Sequence, residues 1–400
     1  MKPVYLDNNA TTRVDPRVVD AMLPYFTEQF GNASSIHAFG ADVGAAIKHA
    51  RRQLQALLGT EFDHEIVYTG CGTEADNTAL LSALETQTGR NEIVTSAVEH
   101  PAILALCAWL EKTRGVKIHY IGVDSRGRLD MDAYRKALGP RTAIASIMWA
   151  NNETGNLFEV ETLAELAHEA GALFHTDAVQ AVGKVPMDLK TSEIDMLSLS
   201  GHKFHAPKGI GALYVRRGVR LRPMIRGGHQ ERGRRAGTEN APAIIGLGVA
   251  AELARTHLDD ENTRVRALRD RLEKGLLQRI SHAMVTGDPE HRLPNTSNIA
   301  FEYIEGEGIL LLLNKAGIAA SSGSACTSGS LEPSHVLRAM KVPYTAAHGA
   351  IRFSLSRENT AEDVDRVLEV MPGIVETLRG MSPFWDGTSE TRSAFTPTYA

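Results

Sequence analysis

The chain has 400 residues, of which 43% are hydrophobic and 23% charged, and its formal net charge is -5. This composition excludes a disordered or fibrous chain, and the negative balance argues against general nucleic-acid binding. Cys71, Cys107 and Cys326 are too few for a disulfide framework. The first residues lack the apolar run of a signal peptide, and no stretch predicts a membrane span. We therefore predict a cytoplasmic protein that binds neither membranes nor nucleic acid.

Between residues 65 and 216, short β-branched runs alternate with amphipathic stretches. We predict strands over residues 65–69, 92–95, 117–123, 142–149, 172–176, 195–200 and 209–215, and helices over residues 73–84, 101–112 and 160–170. Such alternation is typical of a mainly parallel sheet covered by helices on both faces. The fold class predicted for this part is therefore α/β.

The pattern changes after a helix predicted over residues 241–254. The elements predicted next are a helix over 260–279, a strand over 297–303, a helix over 308–315, a Ser/Gly-rich loop, a strand over 350–355 and a closing helix over 361–379. This mixture indicates a smaller α+β domain. We assign residues 16–255 to the large domain, and residues 1–15 and 256–400 to the small one.

Polar side chains follow five predicted strands of the large domain, at the edge where open α/β sheets bind ligands. They are Thr73, His100, Asn152, Asp177 and the group Ser200, His202 and Lys203. A lysine just past an apolar strand can be partly desolvated and nucleophilic, although most such lysines are solvated charges. Asp177 would either pair with the protonated nitrogen of a lysine-bound pyridoxal ring or cap the helix that follows it.

Residues 70–75 join a predicted strand to a helix, so the backbone amides of Gly72 and Thr73 would face an anion at the helix N-terminus. The segment also fits the dinucleotide fingerprint G-x-G-x-x-A. However, the next strand does not end in the acidic residue that holds a ribose. The pattern is equally consistent with a single phosphate, to which Ser200 and His202 would add donors.

Three further features have competing interpretations. His100 starts a predicted helix, where it would either stack on a cofactor ring and move protons or cap the helix. Arg352 lies in a strand of the small domain, where it would either hold a substrate carboxylate or form a salt bridge between the domains. The arginines between residues 216 and 235 favour a small anion or interface carboxylates over a polyanion, because only Tyr214 offers an aromatic face.

Cys326 lies in the run Ser321-Ser322-Gly323-Ser324-Ala325-Cys326-Thr327-Ser328-Gly329-Ser330. Side chains this small cannot bury a thiol, so we predict an exposed and reactive cysteine in a flexible loop. Free cysteines are usually buried, and reactivity accounts for the exceptions. The competing interpretation is a surface loop in which a cysteine happens to occur.

Several motifs, in order from residue 5 to about residue 385, resemble those of the cysteine desulfurase family. They are Tyr5-Leu6-Asp7-Asn8-Asn9-Ala10-Thr11-Thr12, Gly31-Asn32-Ala33-Ser34-Ser35-Ile36-His37, Gly72-Thr73-Glu74, Glu99-His100-Pro101, Asn151-Asn152-Glu153-Thr154-Gly155, His175-Thr176-Asp177-Ala178-Val179-Gln180, Ser200-Gly201-His202-Lys203 and Ser324-Ala325-Cys326-Thr327-Ser328-Gly329. Residues 234–240 and 328–335 are most similar to the NifS branch, the desulfurases of nitrogen-fixation systems.

The resemblance implies a pyridoxal phosphate-dependent transferase of fold type I, with a large domain around a mainly parallel mixed sheet and a smaller α+β domain. It implies that Lys203 carries the cofactor as a Schiff base, that Asp177 pairs with the pyridine nitrogen, and that Gln180 donates to the ring hydroxyl. His100 would stack on the ring, and either Lys203 or His100 would move the α-proton. The remaining cofactor ligands would be Gly72, Thr73, Asn152, Ser200, Gly201, His202 and, from the other subunit of a homodimer, Thr238.

The implied reaction converts L-cysteine to L-alanine and leaves a persulfide on Cys326, while Asn152 and Arg352 hold the substrate carboxylate. The sulfur would pass to an iron–sulfur scaffold protein that serves nitrogenase, with Cys326 as a transient ligand of the cluster. One departure from the family is Gly70-Cys71, where many relatives have Ser-Gly, and it places a second thiol close to the cofactor. A selenocysteine lyase or another pyridoxal phosphate-dependent transferase is the alternative, because it would keep the same lysine and aspartate.

Overall fold

The computed structural model describes residues 3–322 and 333–385. Within them the chain forms a seven-stranded sheet, a four-stranded sheet and a two-stranded pair. The strands are, in chain order, β1 (Val4–Tyr5), β2 (Ile66–Thr69), β3 (Glu92–Ser96), β4 (Lys117–Ile121), β5 (Thr142–Ser146), β6 (Leu173–Asp177), β7 (Met196–Ser200), β8 (Gly211–Val215), β9 (Ala283–Val285), β10 (Thr296–Phe301), β11 (Ile318–Ala319), β12 (Ser321–Ser322) and β13 (Ala350–Ser354).

Helices connect most of these strands. They are, in chain order, α1 (Pro16–Met22), α2 (Pro24–Thr27), α3 (Ala38–Leu58), α4 (Gly72–Thr86), α5 (Pro101–Arg114), α6 (Met131–Ala137), α7 (Val160–Glu169), α8 (Ala241–Thr256), α9 (Leu258–Asp260), α10 (Arg266–Arg279), α11 (Gly306–Lys315), α12 (His335–Ala339), α13 (Tyr344–Ala347) and α14 (Ala361–Met381). A short 3-10 turn, Gly201–Lys203, follows β7, and a π-helical turn, Glu261–Val265, joins α9 to α10. None of the helices α1 to α14 combines the length and the apolar content that a membrane crossing needs.

The seven-stranded sheet has the order β2-β8-β7-β6-β5-β3-β4, and β8 alone runs antiparallel to its neighbours. Every residue of β5 and β7 is buried, as expected for strands covered on both faces. The predicted strands of this sheet are confirmed, with ends that differ by a few residues. The parallel strands end at one edge of the sheet, and their carboxyl ends carry the polar groups predicted there.

The four-stranded sheet is antiparallel, with the order β12-β13-β10-β9. Leu272 and Phe353 belong to an apolar core between this sheet and α10, α11 and α14, and Val4 and Leu6 from the start of the chain lie in the same core. The core of the large sheet extends to Val336 on α12. Val336 falls in the part of the chain that we assigned to the small domain, so the two cores do not follow that division along the chain throughout. The division into two domains stays a prediction.

Helix α3 lies in a region for which we made no prediction, and it packs along α8. A Cβ on Gly248 of α8 would lie 2.6 Å from Ala50 of α3, so a glycine there lets the two helices approach closely. The surface near α1, α2 and the start of α3 carries exposed apolar side chains. Leu23 is 56%, Phe26 60% and Phe30 67% exposed. Such a patch is typical of an interface with another protein.

Candidate active site

A cavity of about 390 Å³ opens at the carboxyl ends of the large sheet, between this sheet and strands β12 and β13. Most of the predicted site residues line it, which brings together groups from both sheets. They are Gly72, Thr73, His100, Asn152, Asp177, Gln180, Ser200, His202, Lys203 and Arg352.

Two predicted residues do not line this cavity, and a third falls outside the described residues. Gly201 does not line the cavity, and a Cβ on it would lie 2.9 Å from the Cβ of Ala206, so a glycine lets the turn pack tightly. Thr238 is exposed and away from the cavity of its own chain. Cys326 lies outside the described residues, but Ser322, the last residue described before it, lines the cavity.

Lys203 ends the 3-10 turn that follows β7. Its Nζ donates to the backbone oxygens of Asn9 at 2.7 Å and Ala10 at 2.8 Å. Burial lowers the pKa of Lys203 to about 8, and the positive charges of Arg352 and Lys184 act in the same direction. The amine is therefore neutral far more often near neutral pH than that of an exposed lysine, which makes it a better nucleophile and base.

Asp177 and His100 lie on the same side of the cavity as Lys203. The Asp177 carboxylate accepts from the backbone N–H of Val179 at 2.9 Å, and burial raises its pKa against the attraction of His100 and Lys203. His100 caps α5 by accepting from the backbone N–H of Ala102 at 3.1 Å, while its ring lines the cavity. Burial lowers the pKa of His100, which favours a neutral ring. Both roles weighed for His100 are therefore compatible.

Two more carboxyl groups are buried in this part of the site: Asp76 lines the cavity, and Glu99 precedes His100 without lining it. Burial raises the pKa of Asp76 well above its ordinary value, and the negative charge of Asp177 adds to the shift. Burial likewise raises the pKa of Glu99 to about 8. Glu99 accepts from the backbone N–H of Met148 at 3.0 Å through Oε1, and its Oε2 has no hydrogen-bond partner in the part of the chain that the structure describes.

The first turn of α4 can receive an anion. A Cβ on Gly72 would come within 2.8 Å of Val179 Cγ2, so only glycine fits this close approach. The amides of a helix's first turn lack partners inside the helix. Nearby, the ring of His202 lies 3.2 Å from Thr11 Oγ1, and burial lowers its pKa to about 4. His202 would therefore serve as a neutral hydrogen-bond donor.

Arg352 reaches the cavity from β13. Its guanidinium donates to Asp7 Oδ1 at 2.8 Å and to the backbone oxygen of Asn152 at 2.9 Å. Its Nε is buried and has no hydrogen-bond partner among residues 3–322 and 333–385. The side chain thus joins two segments of the chain and still has a donor that a carboxylate could use.

Asp7, Asn9 and Ala10, for which we predicted no role, form part of the cavity wall. We call residues 6–12 the N-terminal arm. The arm is held by Asn9, which donates to Thr296 Oγ1 at 2.9 Å through Nδ2 and to Ser354 Oγ at 2.9 Å through its backbone N–H. The only signal in the sequence was the motif itself, whose residues supported the family resemblance.

The arginines between residues 216 and 235 are largely paired within the chain. Arg235 contacts Glu74 at 2.8 Å and Arg226 contacts Glu85 at 3.4 Å. Among the residues that the structure describes, no group of three or more His, Cys, Asp or Glu could hold a metal ion. The predicted cluster ligand, Cys326, lies outside those residues.

The cavity suits the cofactor implied by the sequence. Lys203 supplies an amine, Asp177 a buried carboxylate for a ring nitrogen, and Gly72 an opening for a phosphate at the start of α4. Gln180 donates to the backbone oxygen of Asn9 at 2.9 Å, and its buried Oε1 has no partner within the described ranges. A ring hydroxyl could donate to this oxygen, which is the reverse of the direction that the resemblance implies, because the Gln180 amide already donates to Asn9.

Comparisons with known proteins identify the relatives of the chain. The aminotransferase class-V family matches residues 4–367. The chain is 82% identical over 400 residues, the whole of both chains, to a cysteine desulfurase of Gluconacetobacter diazotrophicus. It is 64% identical over 402 residues, again 100% of both, to the cysteine desulfurase NifS of Azotobacter vinelandii.

Two solved structures share the fold. A NifS-like protein matches 94% of this chain and 100% of its own, with 39% identity and a TM-score of 0.88. A protein named SspA, solved in complex with cysteine, matches 88% of this chain and 98% of its own, with 34% identity and a TM-score of 0.78.

Proposed function

Because this chain belongs to the aminotransferase class-V family and, within it, to the cysteine desulfurases, we propose that it converts L-cysteine to L-alanine and a persulfide on Cys326. The enzyme depends on pyridoxal phosphate, and the resemblance and the α/β fold class predicted from the sequence are confirmed. The observation that carries the proposal is the convergence of Lys203, Asp177 and Arg352 on one cavity. The structure of SspA with cysteine supports cysteine as the substrate.

When bound, pyridoxal phosphate withdraws electrons from the α-carbon of the substrate. Lys203 would hold the cofactor through its amine and, once displaced by the amine of cysteine, would take the α-proton on Nζ. The low pKa of Lys203, about 8, favours the neutral amine that both tasks need. Asp177 would pair with the ring nitrogen, and His100 would cover the ring.

Arg352 and Asn152 would hold the substrate carboxylate. The guanidinium of Arg352 is almost buried, with a side chain only 7% exposed, and an ion pair in such a site is weakly screened by water. Asp7 at 2.8 Å keeps the guanidinium oriented. A substrate carboxylate would add a second anion to the same group and would thereby be fixed relative to Lys203.

The Cys326 thiolate would attack the substrate sulfur. A sulfur–sulfur bond forms, the carbon–sulfur bond breaks, and its electron pair stays with the carbon, which takes a proton to give alanine. L-cysteine and the Cys326 thiol thus yield L-alanine and the Cys326 persulfide, and no external oxidant or reductant is needed.

A homodimer is part of the proposal. Thr238 is exposed and away from its own cavity, as expected for a residue that reaches the site of a second subunit. A heterodimer of Thr238→Ala and Lys203→Ala chains tests this, because only a shared site would regain an intact set of residues. Activity above that of either homodimer supports the sharing, and no gain contradicts it.

We propose an iron–sulfur scaffold protein of nitrogen fixation as the sulfur acceptor, and the NifS name of the Azotobacter relative supports this. We also propose a cytoplasmic location, which is supported by Cys71 and Cys107, both free thiols.

The test of the function is the release of alanine from L-cysteine by the purified protein, together with mass spectrometry of the peptide that contains Cys326. We expect added sulfur atoms on that peptide. Cys326→Ala should still bind the cofactor but should not release alanine. A persulfide on Cys71 instead, or an active Cys326→Ala protein, would overturn the assignment.

A further inference from the structure

Lys184 is a buried lysine that the proposed reaction does not use. It lies on the turn after β6 and is only 5% exposed. Its Nζ donates to the backbone oxygen of Gln180 at 3.1 Å, and its own backbone oxygen accepts from Asn262 Nδ2 at 2.9 Å. A buried ammonium group is costly unless nearby groups compensate it, so its presence here calls for a physical reason.

Hydrogen bonds connect Lys184 to Lys203. Gln180, whose backbone oxygen accepts from Lys184, donates through Nε2 to the backbone oxygen of Asn9 at 2.9 Å. The same oxygen of Asn9 accepts from Lys203 Nζ at 2.7 Å. Lys184 therefore holds the turn that carries Gln180. The Gln180 side chain and the Lys203 amine donate to the same acceptor, the backbone oxygen of Asn9.

The two lysines also line one small cavity. Its volume is about 20 Å³, which is room for about one water molecule. Glu261, His205 and Arg357 line the same cavity. Because bulk water does not separate the two lysines there, their charges are only weakly screened.

The charges around Lys203 differ in how they respond to substrate. Those that act on it are Arg352, Lys184, Asp177, Asp7 and His100. Arg352 is paired with Asp7 and would also be neutralised by a substrate carboxylate. Lys184 does not line the cavity that substrate would enter, so a substrate carboxylate would not neutralise it.

The titratable and charged groups around Lys184 are buried or half-buried. They are Glu261, His202, His205, Arg357 and Lys203. Glu261 supplies the compensating negative charge, and its Oε2 has no hydrogen-bond partner in the described part of the chain. Burial lowers the pKa of Lys184 and raises that of Glu261, while the attraction between the two groups opposes both shifts.

We propose that Lys184 is a positioning residue for Lys203: its ammonium group holds the Gln180 turn, and its positive charge favours the neutral form of the Lys203 amine. The inference rests on the proposed function, because it concerns the lysine that would hold the cofactor. Substrate binding would neutralise Arg352 but not Lys184, so the repulsion that favours the neutral Lys203 amine would persist.

The test compares Lys184→Met with Lys184→Arg and with Lys190→Met, a control at an exposed lysine of the same segment. Two midpoints are measured: that of the visible absorption of the lysine–cofactor Schiff base against pH, and that of the rate at which cofactor-free protein captures added pyridoxal phosphate. Lys184→Met should raise both midpoints by about 0.5–1 pH unit, because a like charge is removed. Lys184→Arg stays charged and should restore them, and Lys190→Met should leave them unchanged.

An unchanged midpoint in Lys184→Met protein that loads the cofactor would overturn the inference, as would an equal shift in Lys184→Arg. If Lys184→Met does not fold, Lys184→Gln replaces it, since its amide can still donate but carries no charge, and the same shift is expected. A native protein that never shows the visible absorption would instead overturn the proposed function, so the two failures are distinguishable.

Discussion

The active-site cavity has two walls of different chemistry. The wall at the edge of the large sheet consists of side chains that titrate, such as Lys203, Asp177 and His100. The wall formed by the N-terminal arm presents backbone oxygens, those of Asn9 and Ala10, to the same lysine. A change of pH therefore alters the charge of the sheet wall but does not change the two backbone oxygens that the arm presents to Lys203.

The two walls are also held differently. Side chains of the sheet wall stand at the ends of buried strands, so their positions follow from the sheet. The arm depends on Asn9, which bonds to Thr296 and Ser354 and accepts from Asn295 Nδ2 at 3.2 Å. Lys203 is a titrating residue of the sheet wall, and its amine donates hydrogen bonds to the arm. It therefore connects the two walls.

The largest effect is expected from Lys203→Ala, which removes a titrating group of the sheet wall and its hydrogen bonds to the arm. Loss of the nucleophilic amine should lower the rate of alanine release by at least roughly a thousandfold. Alanine release and the visible absorption of the cofactor are the measurements. Lys208→Ala, at an exposed lysine five residues on in the chain, serves as the control and should retain activity. Normal turnover by a folded Lys203→Ala protein would contradict the assignment.

Arg352→Ala should mainly weaken substrate binding. A charge-assisted hydrogen bond contributes about 1.5–3 kcal/mol, so the KM for cysteine should rise about 10- to 100-fold. The control is Arg271→Ala, which removes a solvent-exposed ion pair with Asp365. Steady-state kinetics decide between the two roles of Arg352, because an unchanged KM would show that it only joins segments of the chain.

The sheet wall could be predicted from the sequence, and the arm wall could not. Local alternation of apolar runs locates strand ends, so Asp177 and Lys203 were found from neighbouring residues. The contact of Lys203 with Asn9 spans 194 positions, and that of Arg352 with Asp7 spans 345. No local sequence pattern predicts a contact between residues so far apart in the chain. The only regular element next to the arm is the two-residue strand β1.

Helix α3 was also not predicted, although its pattern is present in the sequence. Val43, Ile47, Ala50, Leu54 and Leu58 are buried and recur at the three- or four-residue spacing of an amphipathic helix. Gly59 ends the helix with a positive φ of 65°, a common helix stop. The helix could have been predicted from this pattern, whereas its packing against α8 depends on contacts that only the folded chain shows.

Glu99→Gln removes one titrating carboxyl near the sheet wall and leaves the arm unaltered. The pKa of Glu99 rises from its ordinary value of 4.5 to about 8, so between these values the folded protein binds more protons than the unfolded chain. The free energy of unfolding must then fall as the pH rises through this range. In Glu99→Gln the fall between about pH 5 and pH 8 should be smaller by about 1–3 kcal/mol, measured by denaturant unfolding.

The matched control is Glu111→Gln, at an exposed position of α5. It should keep the pH dependence of the native protein. If Glu99→Gln keeps that dependence as well, the Glu99 carboxyl does not contribute to the titration of the sheet wall.

Asn9→Ala should give the smallest effect, because it loosens the arm and leaves every titrating group in place. It removes the side-chain bonds to Thr296, to Asn295 and to the backbone oxygen of Asn152, which should lower the free energy of unfolding by about 1–2 kcal/mol. Asn8→Ala is the control: Asn8 also bonds to the small sheet, at 2.9 Å to the backbone oxygen of Ser354, but its own backbone oxygen does not hold Lys203. The two variants should lose similar stability.

Only Asn9→Ala should then lower kcat/KM, by roughly two- to fivefold, since a less fixed carbonyl orients the Lys203 amine less well. The pH midpoint of the Schiff-base absorption should stay at its native value, because the arm contributes no titrating group at this position. An equal loss of activity in Asn8→Ala would mean that the arm acts through stability alone. A shifted midpoint in Asn9→Ala would mean that the arm also controls the charge of Lys203, and the two walls would then not be separable in their effects.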